Sequence, residues 1–269
     1  MKIVVLAKPV PDPTAAAERL GPDNRLDRSV APTVINGNDE YTLEAALQIA
    51  DAHPGEVEIT LVAMAPANGA ETLRKGLAMG AHRGVLITDP LLAGSDAWST
   101  ARVLAAALRE LEFDLVLAGF DTSDGVGGVV GPAVATLLRL PYLSSAATIE
   151  PNVEAGTVRV RRISPTGFDV LEAPMPALIV GTQLLGTPRY PSLKGIMGAR
   201  SKEVAPRSLA ELGLAGDAGA AGAVGGAVSR TTVIDKRTPP ARGTARVVRG
   251  APADAAKDVV AFLAERRLI

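Results

Sequence analysis

The feature that most constrains this chain is a regular alternation of short apolar segments with amphipathic ones up to residue 138. The apolar segments are rich in Val, Ile and Leu, which is typical of strands covered on both faces. We predict strands at 3–7, 57–65, 83–88 and 114–119. Helices are predicted at 39–52, at 69–79, from an N-cap at Ser95 to Leu111, and after Pro132. Such alternation predicts an α/β fold with a mainly parallel, doubly wound sheet.

The pattern changes after Pro141, where shorter strands are predicted at 157–163, 168–173 and 177–182. Turn signals between them predict an extension of the sheet by antiparallel strands.

Further along, Ser208 and Glu211 form a possible capping box for a short helix ending at Gly213. Residues 215–228 are rich in Gly and Ala and are predicted to be a linker. A strand-like stretch at 245–250 and an amphipathic helix from 253 follow, as an arm that either folds back or clasps another subunit. The predicted division of the chain is an α/β domain at 1–185, a loop at 186–203, a helix and linker at 204–230, and the arm at 231–269.

Composition excludes several classes of function. A net charge of -1 and an aromatic content of 3% leave no basic field for nucleic acid and few rings to stack on bases. The absence of cysteine excludes thiolate nucleophiles, zinc-thiolate sites and iron-sulfur clusters, and two histidines are too few for a multi-histidine metal site. The opening apolar run is too short for a secretion signal, and no run approaches ~18 residues, so we expect a soluble, cytoplasmic protein without membrane insertion.

A glycine-rich segment, GFDTSDGVGGVVGPAVATLL at 119–138, follows the fourth predicted strand and leads into a helix. Ligands of open α/β sheets bind at this edge, and free N–H groups beside a helix N-terminus suit a phosphate. Asp124 is suited to accept from a ribose hydroxyl or to cap the turn, and Thr122 and Ser123 suit either role. The segment lacks the P-loop lysine signature, and its glycines are spaced more widely than in the dinucleotide fingerprint. It predicts either a nucleotide-phosphate site or a tight structural turn.

A second segment, TVINGNDEYTLEAALQ at 33–48, reaches the same edge of the predicted sheet. Asn36 and Asn38 are favourable N-caps and Asp39 suits a first helical turn. Asn and Asp side chains also form hydrogen bonds with adenine and ribose, so these residues have either a structural or a ligand-binding role.

The segment PRYPSLKGIMGARSK at 188–202 places Leu193, Ile196 and Met197 at the spacing of one helical turn. Proline and glycine residues around them prevent a longer helix. Large apolar residues on so short an element are either a satellite of the core or a surface carried to a partner.

Taken in order, five stretches resemble the β subunit of electron transfer flavoprotein: LAKPVPDP, NGNDEYTLEAALQIA, VAMAPANGAETLRKGLAMGAHRGV, LVLAGFDTSDGVGGVVGP and PRYPSLKGIMGARSKEV. The resemblance covers nearly the whole chain. It implies an adenine nucleotide α-hydrolase-like fold and an electron-carrier subunit without catalytic residues. Its partner would be a larger α subunit that carries the redox-active FAD at the interface.

The resemblance further implies that this subunit holds a structural AMP, with the phosphate against the amides of residues 127–130. The implied cofactor-binding residues are Leu6, Asn36, Gly37, Asn38, Asp39, Met64, Gly119, Thr122, Ser123, Asp124, Gly125, Gly127, Gly128, Val129 and Val130. Leu193 would be the anchor that docks flavoprotein dehydrogenases such as acyl-CoA dehydrogenases. The implied docking residues are Tyr190, Leu193, Ile196 and Met197.

The chain departs from the family's pattern at two places in the glycine-rich segment. Gly128, Val129 and Val130 replace an Asn-Gln-Thr run of many members, so only backbone amides are left to contact a phosphate there. Members that bind a second FAD and bifurcate electrons usually carry Asp-Gly-Asp-Thr, whereas this chain reads Asp-Gly-Val-Gly from Asp124. These departures favour AMP and simple electron transfer.

Three alternatives stay open: the bifurcating type, an adenylating enzyme of the ATP-pyrophosphatase type, and a nucleotide sensor without a redox role. The loop after the first strand, KPVPDP, does not resemble the SGGxDS loop of the adenylating enzymes.

Overall fold

The computed structural model describes residues 1–15, 19–29, 31–215, 223–237, 240, 243 and 245–269. The strands are β1 (Lys2–Leu6), β2 (Pro9–Pro11), β3 (Thr33–Ile35), β4 (Glu58–Met64), β5 (Arg83–Ile87), β6 (Leu115–Gly119), β7 (Tyr142–Asn152), β8 (Thr157–Ser164), β9 (Gly167–Pro174), β10 (Ala177–Gly181) and β11 (Val204–Arg207). The helices are α1 (Gly37–Ala52), α2 (Gly69–Met79), α3 (Ala97–Arg109), α4 (Val130–Leu138), α5 (Leu193–Ala199) and α6 (Pro252–Glu265).

Within the described residues, nine strands form one sheet in the order β11-β5-β4-β1-β6-β10-β7-β8-β9. All neighbouring pairs from β11 to β7 are parallel, whereas β8 runs antiparallel to both β7 and β9. β2 and β3 pair separately as a short antiparallel ribbon.

Helices cover both faces of this sheet. Leu43 of α1 and Leu77 of α2 belong to the apolar cluster on one face. Leu108 of α3 and Val134 of α4 belong to the cluster on the other face. The α/β fold with a mainly parallel, doubly wound sheet and an antiparallel extension is therefore confirmed.

One strand prediction is wrong in its pairing. β10 is not part of the antiparallel extension, because it lies between β6 and β7 and pairs with both in parallel. All five of its residues are buried. A continuous apolar run is typical of an interior parallel strand, so the composition of this segment agrees with its observed place.

Two predicted helix starts are displaced. Asp96, rather than Ser95, caps α3, because its side chain accepts a hydrogen bond from the Ser99 amide. α4 begins at Val130, so Pro132 lies in its first turn instead of before it. Proline is tolerated there because the first turn's amides have no partner within the helix.

The predicted capping box at Ser208 and Glu211 forms, since each backbone amide donates to the other residue's side chain. The residues after it make a turn and not the predicted helix. The predicted linker lies partly outside the described residues. In its described part Val224 is fully buried in the α3 and α4 cluster, so this part packs on the domain and does not act as a spacer.

The chain divides into two compact units, Met1–Val233 and Ile234–Ile269. In the second unit α6 has no buried residue, and Arg266 lies over the Phe262 ring at 4.7 Å from its centre. The predicted strand at 245–250 is not formed. None of the helices in the described part of the chain has both the length and the apolar character needed to cross a membrane.

Candidate functional site

The candidate site lies where the strand order of the sheet reverses. From β1, the chain adds β4 and β5 on one side, and β6 is then added on the other side. In open α/β sheets, the crevice beyond the carboxyl ends of the strands at such a point is where ligands bind. In this chain the crevice is bordered by Lys8 after β1 and by the glycine-rich segment after β6.

Asp39 joins the two strand ends at this crevice. Its Oδ2 accepts a hydrogen bond from the Lys8 amide at 2.8 Å, and its Oδ1 accepts from the Gly119 amide at 3.1 Å. Burial raises the pKa of Asp39 to about 7, while these two hydrogen bonds oppose that rise. Both oxygens of this carboxyl group are therefore occupied by hydrogen bonds from the backbone at the two strand ends.

Asn36 and Asn38 hold the glycine-rich segment from the start of α1. Asn36 stands at the N-cap position, but its side chain makes no capping bond. Its Nδ2 donates to the Asp121 carbonyl at 2.8 Å, and its Oδ1 accepts from the Ser123 amide at 3.1 Å. Asn38 Nδ2 donates to the Asp121 carboxylate at 2.6 Å. Gly37, between them, begins the helix.

Asp124 is held by two cations. Its carboxylate accepts from Lys8 Nζ and from Arg28 Nε, both at 2.7 Å, and only 2% of its side chain is exposed. Lys8 Nζ also donates to Thr122 Oγ1 at 3.2 Å. Burial raises the pKa of Asp124, but Lys8, the Thr122 hydroxyl and the charge of Arg28 together outweigh this effect, so the pKa lies below its ordinary value. The predicted ribose contact of Asp124 would have to compete with these partners.

The end of the glycine-rich segment presents free backbone donors. Gly127, Gly128 and Val129 are exposed, and the amides of residues 127–130 donate to no other residue in the described ranges. Val126, 70% exposed, has a φ of 46°, and Gly128 has a φ of 62°. A β-branched residue in the left-handed region costs of order 1–3 kcal/mol, and such strain is typical of ligand-binding segments.

The other predicted cofactor residues are less accessible to a ligand, because they are engaged in hydrogen bonds or packing. Gly125 donates its amide to the Thr122 carbonyl. A side chain at Gly119 would lie 2.4 Å from the Asp39 carboxylate, so glycine is required there by packing. Leu6 is buried and Met64 is half-buried, and both pack into the α3 and α4 cluster. The structure thus brings the predicted residues to one sheet edge, where about half of them hold the edge together.

The predicted docking residues lie elsewhere, on a segment that packs against α2. Ser192 caps α5 by accepting from the Gly195 amide at 3.0 Å. The exposed fractions are 96% for Tyr190, 75% for Leu193, 48% for Ile196 and 66% for Met197. These four side chains are a surface feature and not a satellite of the core.

Sequence reasoning missed Lys8 and Arg28 and did not single out Asp121 within the glycine-rich segment, although these residues hold that segment in place. The position of Lys8 could have been noticed, because a charged residue just beyond the end of a buried strand lies at the ligand-binding edge of the sheet. No such signal indicated Arg28, since its partner Asp124 is 96 residues away in the sequence.

Comparison with known proteins finds relatives over nearly the whole chain. Residues 24–212 match the family described as the electron transfer flavoprotein domain. The electron transfer flavoprotein subunit beta of Mycobacterium tuberculosis is 35% identical over 271 residues, covering 99% of each chain. The caffeyl-CoA reductase-Etf complex subunit CarD of Acetobacterium woodii is 33% identical over 272 residues, covering 100% of each. The subunit beta of Megasphaera elsdenii is 36% identical over 257 residues, or 93% of this chain and 92% of its own.

The relatives named electron transfer flavoprotein subunit beta are electron carriers rather than enzymes, which removes the support for an adenylating enzyme. The chain therefore belongs to the electron transfer flavoprotein family, as a member of its β-subunit type.

Proposed function

We propose that this chain is the β subunit of a heterodimeric electron transfer flavoprotein that holds a structural AMP. Its family role is electron transfer in association with flavin and nucleotide. In this proposal a dehydrogenase passes electrons to an FAD held mainly by the α subunit. The FAD supplies the redox chemistry, while this chain binds AMP, positions the α subunit and docks the donor.

The observation that carries the AMP assignment is the run of free amides at residues 127–130. They stand at the N-terminus of α4, where the helix dipole favours an anion. Lys8 and Arg28 add positive charge to the same segment through their shared partner Asp124. A phosphate fits this donor set without any side-chain contact from Val129 or Val130.

The nucleoside part of AMP would need other partners than Asp124. Ser123 is exposed, and its hydroxyl has no hydrogen-bond partner among the described residues. Val129 is 51% exposed and offers an apolar surface to a base. We therefore propose that the ribose forms its hydrogen bond with the Ser123 hydroxyl in preference to the Asp124 carboxylate.

The donor assignment is supported by the exposed apolar side chains of Tyr190, Leu193, Ile196 and Met197. A relative, CarD, is named as a subunit of a complex with a caffeyl-CoA reductase. We accordingly propose dehydrogenases of CoA esters, such as acyl-CoA dehydrogenases, as partners. The unburied helix α6 is proposed to pack on the α subunit.

The experiment is the nucleotide content of the chain co-expressed with its α subunit, released by denaturation and separated by chromatography. One FAD and one AMP per heterodimer is the expected result. Two FAD and no AMP would assign the chain to the bifurcating type, and the absence of FAD would overturn the proposal.

A pair of variants tests where AMP binds. Val129→Asp places a carboxylate at the N-cap of α4, where it favours the helix but repels a phosphate. We expect this variant to retain FAD and lose AMP. Val153→Asp is the matched control, because Val153 is similarly exposed, at 57%, in the turn between β7 and β8. Retention of AMP by Val129→Asp would refute the assignment.

A further inference from the structure

The docking segment, defined as residues 188–202, is too short to be structured by itself. α5 has only seven residues, whereas isolated helices shorter than about 12 residues are marginal in water. Its large apolar side chains are mostly exposed and contribute little burial. Contacts with the rest of the domain must therefore hold this segment in its conformation. One of these contacts identifies a further residue with a role in docking.

The strongest contact is between Arg189 and Glu44 of α1. Arg189 Nε and Nη2 donate to the two carboxylate oxygens of Glu44, each at 2.9 Å, and the Arg189 amide donates to Oε2 at 3.1 Å. Gln48 Nε2 donates to Oε1 at 3.1 Å, and Arg189 Nη2 also reaches Asp51 at 2.8 Å. The Glu44 side chain is only 5% exposed. Arg189 directly precedes Tyr190, so this pair fixes the start of the segment.

The other end of the segment is held by α2. Arg74 Nη1 donates to the Ala199 carbonyl at 3.0 Å, at the C-terminus of α5. Lys202 Nζ donates to the carbonyls of Leu77 and Ala81 at 2.9 and 2.6 Å. Gly195 lies so close to α2 that a Cβ there would be 2.3 Å from the Ala78 carbonyl oxygen. α5 is therefore anchored along its length.

We propose that Glu44, through its bidentate pair with Arg189, is a positioning residue that holds the docking segment pre-formed for a partner. This inference rests on the docking role proposed above. A pre-formed segment binds without first losing its conformational freedom, which is the usual benefit of preorganisation.

The chemistry of the pair favours orientation over stability as its role. A buried ion pair is weak evidence for stability, because the desolvation of both charges offsets their attraction. A planar guanidinium bound at both nitrogens, by contrast, fixes direction as well as distance. Burial raises the pKa of Glu44, but the hydrogen bonds and charge of Arg189 together with the hydrogen bond from Gln48 outweigh this effect and keep the pKa below its ordinary value, so the carboxylate is charged at neutral pH.

The test uses Glu44→Gln in the heterodimer, alone and combined with Leu193→Ala. The readouts are KM and kcat for the heterodimer as the electron acceptor of a reduced acyl-CoA dehydrogenase. Loss of preorganisation is expected to raise KM about tenfold with kcat nearly unchanged. Because part of what Glu44 holds in place is Leu193 itself, the double variant should raise KM by less than the product of the two single effects. Multiplying effects, or an unchanged KM for Glu44→Gln, would overturn the proposal.

Hydrogen exchange gives a second readout that does not depend on a dehydrogenase. Glu44→Gln should speed exchange at residues 190–199 and leave residues 115–119 of β6 unchanged. Equal acceleration in both places would indicate a general loss of stability and would refute positioning. Glu172→Gln is the matched control, since it removes the carboxylate partner of Arg159 on the exposed β8–β9 hairpin.

If Glu44→Gln does not fold, Asp51→Asn removes only the outer, exposed partner of Arg189 and should give a smaller change in the same direction, while no change at residues 190–199 would count against the proposal. A wild-type heterodimer that accepts no electrons from any dehydrogenase would refute the proposed function. A normal wild type with an unaffected Glu44→Gln would refute only the positioning role.

Discussion

Leu193→Ala separates docking from folding, because this side chain should contribute much more to the affinity for a partner than to the free energy of unfolding. Leu193 is 75% exposed, so only a quarter of it is buried within the chain. Full burial of a leucine side chain is worth roughly 1.5–3 kcal/mol, so the substitution should cost about 0.5 kcal/mol of unfolding free energy. In a protein of this size that loss lowers Tm by about 1–2 °C.

The expected effect on docking is much larger. A partner that receives Leu193 in a pocket buries the remaining three quarters of the side chain. Truncation of such a central anchor costs about 2 kcal/mol or more. That is about a 30-fold loss of affinity.

The assay measures FAD reduction in the heterodimer by a reduced dehydrogenase over a range of heterodimer concentrations. KM should rise about 30-fold, with kcat, AMP content and FAD content unchanged. The control is Leu91→Ala, the same truncation at a leucine that is 50% exposed and adjoins the α3 and α4 cluster through Leu92. It should lower Tm similarly and leave KM unchanged.

Two outcomes would refute this reasoning. A fall in Tm of more than about 5 °C would mean that Leu193 supports the core. An unchanged KM in a normally folded variant would mean that the exposed side chain does not enter a partner.

Gly119→Ala should destabilise the chain by about 1–3 kcal/mol in chemical denaturation, because its Cβ would lie 2.4 Å from the Asp39 carboxylate. Asp124→Asn should lower the unfolding free energy at pH 7 by of order 1 kcal/mol, since its cationic partners are partly exposed. The folded pKa of Asp124 is lowered, so its contribution is complete well above pH 4 and is lost as pH falls through the folded pKa; the difference between wild type and variant should therefore shrink in acid. Lys194 lies in α5 and Arg200 at its C-terminal end, and neither has a carboxylate partner in the described chain. Rising salt should therefore slow the second-order reaction with a donor whose pocket has an acidic rim.

Local patterns were sufficient for the elements and for the general location of the site. The alternation of apolar and amphipathic segments predicted the α/β fold, because strands buried on both faces of a sheet consist mainly of apolar residues. The position of the glycine-rich segment after a strand predicted its place at the ligand-binding edge, since parallel strands end on the same side. The spacing of Leu193, Ile196 and Met197 predicted one helical turn, which α5 contains.

The sequence by itself thus determined which segments form strands and helices and which edge of the sheet carries the candidate site. Tertiary structure alone decided the interior place of β10, the commitment of Asp39 to the amides of Lys8 and Gly119, and the exposure of the docking residues. It also decided the pairing of Glu44 with Arg189, which are 145 residues apart. The physical reason is that periodicity reports only whether a residue faces apolar or aqueous surroundings. The partner that satisfies a buried charge, and the strand that lies beside another, depend on contacts that form only when distant parts of the chain pack together.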